Sequence, residues 1–89
     1  MAISINETKA SDILLSLECA HLEVWKLKGD IVCVAYKGAD VKDGPALRGV
    51  FGSGGTFEGA CHDYLSKIRG KTLVFNAFHA NRHEVTVLG

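Results

Sequence analysis

Cys61, His62, His79 and His83 are residue types that could hold zinc, so their spacing decides whether metal chemistry is open to this chain. Zinc needs three or four ligands converging on one point. Cys61 and His62 are neighbours in a helical segment and point about 100° apart. His79 and His83 are four apart, but Ala80, Asn81 and Arg82 between them read as a hairpin turn. No metal site is expected. A cysteine nucleophile needs an exposed thiolate beside a base. Cys33 lies inside an apolar run, and Cys19 and Cys61 lie on or beside apolar helix faces, so all three read as small buried hydrophobes. The carboxylates form no catalytic pair either. Asp40 and Asp43 belong to a glycine-bearing loop, and Glu58 and Asp63 fall on the polar face of a helix. No catalytic residues are assigned.

Binding chemistry is better represented. Gly52-Ser53-Gly54-Gly55-Thr56 runs into a helix N-terminus, where free N–H groups and the helix dipole can hold a phosphate or carboxylate. The segment is neither a Walker loop, since no Lys-Ser/Thr pair follows, nor a dinucleotide fingerprint, since the spacing is wrong. Its plainer role is to turn a strand into a capped helix. A scattered basic set, Arg48, Arg69, Lys71 and Arg82, could supply counter-charge. The turn Phe78-His79-Ala80-Asn81-Arg82 adds a ring that could stack on a base and a side-chain amide. The candidate ligand-binding residues are therefore Ser53, Gly54, Gly55, Thr56, Arg48, Arg69, Phe78, Asn81 and Arg82. No cofactor is implied.

The elements that would position these residues follow from hydrophobic periodicity. A first helix is expected from a capping box at Ser4 to Glu7, or from Thr8 or Ser11. Its apolar face would carry Ala10, Ile13, Leu14, Leu17 and Ala20. Leu22 to Leu27 and Ile31 to Tyr36 read as a β-hairpin turning through Lys28-Gly29-Asp30. The second of these strands is apolar on both faces and should be central. Lys37 to Pro45 reads as a loop, and Ala46 to Phe51 as a short strand interrupted by Gly49. The second helix is the clearest element. Thr56 is its N-cap, Phe57, Ala60, Cys61, Tyr64, Leu65 and Ile68 form one apolar stripe, and Gly70 ends it. Thr72 to Ala77 and His83 to Leu88 then form a closing antiparallel hairpin. The predicted fold is α+β, in the order α-β-β-β-α-β-β: an antiparallel sheet of about five strands with two helices on one face.

Totals limit the partners. With 89 residues the chain is read as a single domain over its whole length. Ten basic and ten acidic residues cancel to zero net charge, which argues against an affinity built on neutralising many phosphates of a nucleic acid. No stretch approaches the roughly 18 apolar residues of a membrane span, and the N-terminus lacks the basic and apolar regions of a signal peptide. An odd number of widely spaced cysteines fits a reducing compartment, and the bacterial or viral cytoplasm is the expected location. Small size, low charge and open sheet edges point to a homo-oligomer.

The segment Gly55-Thr56-Phe57-Glu58-Gly59-Ala60 resembles the G-x-T-x-E-E-A element of HicB-like domains, with Gly59 in place of the second acidic residue. That resemblance implies a partial RNase H-like fold in the order β-β-β-α-β and a role as an antitoxin. Against that pattern a first helix and a last strand are expected in addition, and no appended DNA-binding unit is expected. The longer run from Gly54 to Phe75 looks like the C-terminal half of small phage and prophage proteins of unassigned function, which implies a viral accessory protein and no particular activity. The order α-β-β-β-α also resembles double-stranded RNA-binding domains. Those place lysines at the start of their second helix, where this chain has Phe57-Glu58-Gly59-Ala60.

The expectation is a non-enzymatic phage or prophage accessory protein. It would bind a host protein or sequester a small anionic or nucleotide ligand, in the manner of an anti-defence protein. A HicB-like antitoxin or regulatory interaction module is the alternative, and a small enzyme the third.

Overall fold

Ile31–Tyr36 forms the central strand β2 in a computed structural model that describes residues 9–18 and 20–87. Its neighbours are β1 (Leu22–Leu27) on one side and β5 (Gly52–Gly54) on the other, all antiparallel. The turn between β1 and β2 holds Gly29 and Asp30 at positive φ, 87° and 62°, which suits glycine and is tolerated by aspartate.

The chain does not loop out after Tyr36. At Gly38, with φ of 71°, it bends and continues as β3 (Ala39–Asp43) in a second sheet. That sheet has four strands, ordered β4 (Ala46–Arg48), β3, β6 (Thr72–Phe75) and β7 (His83–Thr86), again all antiparallel. The predicted loop 37–45 is thus mostly strand. Ala39 and Val41 pair with Phe75 and Leu73 on the core side, while Asp40 and Lys42 take the opposite face. Gly44, at φ of 57°, followed by Pro45, whose ring fixes φ negative, makes a type II′ hairpin turn into β4. The expected strand Ala46 to Phe51 is replaced by β4 and β5, separated by residues 49–51. The single sheet of the sequence reading is therefore two sheets of three and four strands, and the α+β antiparallel class holds.

Helix α2 (Phe57–Ile68) covers the Val32, Val34 and Tyr36 face of β2. Its buried residues are Ala60, Cys61, Tyr64, Leu65 and Ile68, five of the six in the predicted stripe, while Phe57 stays 38% exposed. Thr56 caps it as expected, its hydroxyl accepting from the Gly59 N–H at 3.0 Å. Gly70 takes positive φ, 75°, just past its end. Helix α1 (Ala10–Leu15) is shorter than expected and packs on α2 through Leu14. Ser11 lies inside α1 and does not cap it, and the Ser4 to Glu7 box, Thr8 and Cys19 lie outside the described residues. The core gathers Leu14, Val34, Tyr64, Ile68 and Leu73, each at most 1% exposed, between the helices and the two sheets. No helix among the described residues is long and apolar enough to cross a membrane.

Tyrosines close the junction between the sheets. Beyond the last β2–β5 pair, Val34 with Gly52, the N–H of Tyr36 donates to Tyr64 Oη at 3.2 Å. Tyr36 Oη in turn donates to the Leu14 carbonyl at 2.6 Å, tying α1 to β2. Such bonds keep buried polar groups satisfied where the strand ladder stops.

Candidate functional site

The glycine turn is held together from inside. Ser53 N–H donates to Asp63 Oδ2 at 2.9 Å, and Lys67 Nζ pairs with the same oxygen at 3.0 Å while also donating to the Phe51 carbonyl at 3.0 Å. An anion of the chain itself therefore meets the Ser53 amide. The Ser53 hydrogen bond, and then Lys67, hold the Asp63 carboxyl below its ordinary range. None of Gly52, Gly54 and Gly55 has positive φ. Gly52 and Gly54 are small because β5 lies directly on α2: a Cβ at Gly52 would sit 2.3 Å from the Ala60 carbonyl oxygen, and one at Gly54 2.8 Å from the Ala60 nitrogen. Gly55 faces open space.

The other sequence candidates are dispersed. Phe78 is 92% exposed at the tip of the last hairpin. Arg82 pairs with Glu84 at 3.3 Å, and the Asn81 carbonyl accepts from His83 Nδ1 at 3.1 Å. Arg69 lines a small cavity with His62, Leu65 and Ser66. An apolar cavity of about 200 Å³ lies between Leu14, Leu17, Leu65 and Val85. Neither the glycine turn nor residues 78–82 line these cavities or the cleft described next.

Arg48 leads to the better-built site. A cleft of about 260 Å³ opens between the β3–β4 hairpin and the C-terminal end of α2, lined by Val41, Lys42, Asp43, Arg48, Val50, Lys67 and Lys71. Val41 and Val50 give it an apolar floor. Arg48 faces Val41 across the β3–β4 pair, and its Nε donates to Asp43 Oδ2 at 2.9 Å. The Lys42 side chain leaves for the other sheet face and meets Glu84 at 3.6 Å. Lys67 is shared with Asp63, and its ammonium also stands 5.6 Å from the Phe51 ring centroid. The Lys71 ammonium has no partner among the described residues. Cations therefore outnumber carboxylates in a concave, partly apolar setting, which concentrates positive potential on its opening.

Sequence reasoning grouped Arg48 with Lys71 but missed Lys67, which reads as an ordinary last-turn cation. The spacing of Lys67 and Lys71 across the end of α2 was the available signal.

Cys33 and Cys61 are both fully buried, and burial, helped by the Glu58 charge, pushes the Cys61 thiol up. His83 stacks on Phe75 with ring centroids 4.9 Å apart. Among the described residues no three His, Cys, Asp or Glu side chains gather at one point that could hold a metal. No family model, curated protein or solved structure matches the chain.

Proposed function

We propose that this chain is a non-enzymatic binding protein that holds a small anionic ligand in the cleft between the β3–β4 hairpin and the end of α2. One observation carries the reading: Arg48, Lys67 and Lys71, drawn from separate elements, line one apolar-floored cleft in which Lys71 is unpaired among the described residues. A guanidinium retains terminal N–H donors when its Nε is engaged, so Arg48 still has donors to offer. Sequestration of such a ligand suits a phage or prophage accessory protein acting in a host cytoplasm. The test is a thermal-shift and calorimetric screen of inorganic phosphate, sulfate, nucleotides and nucleotide sugars at low ionic strength. Binding that disappears in the double variant Arg48→Ala/Lys71→Ala supports the reading. Absence of any response, or binding unchanged in that variant, rejects it.

A second reading, self-association or partner docking through β1, is favoured by the state of the sheet edges. Asp63 and Lys67 occupy the outer edge of β5. Strand β1 is an edge with Val24, Trp25 and Leu27 exposed at 52%, 37% and 47%. Long apolar edges of this kind invite strand pairing. Light scattering after size exclusion should give a dimer mass, and a monomer at micromolar concentration would reject self-association through β1.

A further inference from the structure

We infer that the cleft selects a small phosphomonoester dianion, with Asp43 as its built-in competitor for Arg48. This rests on the cleft being the binding site. The argument begins with charge. Asp43 and Arg48 form an ion pair at 2.9 Å with both side chains largely exposed, 60% and 71%. Pairs so exposed to water are weak and can be displaced.

A monoanion arriving at Arg48 exchanges one carboxylate-like contact for another and gains little. A dianion bonds Arg48 with one oxygen and still carries a full charge for the Lys71 ammonium, which is unpaired among the described residues. Tetrahedral phosphate oxygens diverge, which suits two cations on different walls of a cleft better than the single plane of a carboxylate. Lys67 is tied to Asp63 and the Phe51 carbonyl, so it lends field without leaving its place.

Size limits the rest of the ligand. About 260 Å³ is below the roughly 300–1,000 Å³ of pockets that enclose drug-sized molecules. The phosphoryl group and the first carbons of the ester lie together over the Val41 and Val50 floor, and the remainder stays in solvent. A ligand presenting a terminal phosphate fits this description, and one offering only a phosphodiester does not.

The experiment compares methyl phosphate, a dianion at pH 8, with dimethyl phosphate, a monoanion of the same tetrahedral core, by calorimetry or amide shift changes at low ionic strength. Sulfate and acetate extend the charge series. A nucleoside 5′-monophosphate and a phosphoserine peptide report what is tolerated beyond the phosphate. Methyl phosphate and sulfate should bind about tenfold more tightly than dimethyl phosphate and acetate, the size of one further charge-assisted hydrogen bond. In Asp43→Asn, affinity for both dianions should rise about two- to fivefold, matching the worth of an exposed pair.

Equal binding of monoanions and dianions overturns the dianion selection while leaving the cleft a binding site. No binding by any of these anions rejects the site itself. Weaker or unchanged dianion binding in Asp43→Asn rejects the competitor role. Tighter binding of the phosphopeptide than of the mononucleotide overturns the small-molecule assignment.

Discussion

The Asp63 carboxylate, on the second turn of α2, accepts the outward-facing N–H of Ser53 on β5 at 2.9 Å. With Lys67 on the carbonyl of Phe51, the residue just before β5, it covers an N–H and a C=O along this edge. Edge strands left open pair with other chains, so this contact also protects against aggregation. Asp63→Ala should cost about 1 kcal/mol, modest because the side chain is partly exposed, and should raise the tendency to aggregate. Urea denaturation and light scattering measure the two effects.

The same contact predicts a pH dependence. The Ser53 N–H, and after it Lys67, lower the folded-state pKa of Asp63. Its unfolded value is the ordinary one of about 3.9. The contribution to stability is thus complete above about pH 4 and is lost as pH falls through the lower folded value. The stability gap between the wild type and Asp63→Ala should be constant from neutral pH down to about pH 4 and close below it. A gap that widens on acidification would contradict the assignment.

Glycine substitutions should rank by what a Cβ meets. Gly52→Ala places a methyl carbon 2.3 Å from the Ala60 carbonyl oxygen and 2.4 Å from Tyr64, both on a packed helix. Separating β5 from α2 to admit it should cost about 3 kcal/mol or prevent folding. Gly54→Ala, with its nearest atom at 2.8 Å, should cost less, on the order of 1–3 kcal/mol. Gly55→Ala meets nothing within 4 Å among the described residues and should stay within about 0.5 kcal/mol of wild type. Thermal midpoints of the three variants check the order, and a destabilising Gly55→Ala would point to a role for that position beyond spacing.

These glycines show why part of the fold was readable in sequence and part was not. The α2 stripe and the β1–β2 hairpin are local patterns, and both were legible with the ends the structure gives them. The reason for Gly52 and Gly54 lies in Ala60 and Tyr64 on another element, so composition alone reads them as a turn. Strand β3 was hidden similarly, since Gly38 and Gly44 bracket it and Asp40 and Lys42 make it look polar. Its identity comes from Leu73 and Phe75, which pair with it across the chain. The cleft depends on the same long-range pairing. Spacing could bring Lys67 and Lys71 together at the end of α2, but the arrival of Arg48 beside them over Val41 could not be read from it.

Helix α1 is held at its start by a side chain from α2. Glu58 accepts from the Ser11 hydroxyl at 2.5 Å and from the Ser11 N–H at 3.3 Å, doing for α1 what its own N-cap residue, Lys9, does not. The Ser11 hydroxyl bond is the main reason the Glu58 pKa is lowered. Ser11→Ala should therefore loosen α1 while leaving α2 intact. Faster amide exchange confined to residues of α1 would confirm this, and uniform acceleration across both helices would mean that Ser11 supports the whole core.

The junction of the two sheets makes the last prediction. Tyr64 Oη accepts the Tyr36 N–H at 3.2 Å, one step past the end of the β2–β5 ladder. Burial raises the Tyr64 pKa, so the hydroxyl stays neutral and serves as an acceptor in place of a missing strand. Tyr64→Phe keeps the ring that meets Tyr36 edge-on at 5.7 Å and removes only that acceptor. The cost should be about 1–2 kcal/mol, seen as a lower urea midpoint with an unchanged slope. Tyr36→Phe removes a different bond, the one to the Leu14 carbonyl, and should act mainly on α1. If both hydroxyls hold one junction, the double variant will cost less than the sum of the singles, because losing either bond already relaxes the other. Strict additivity would show that α1 and α2 meet β2 independently.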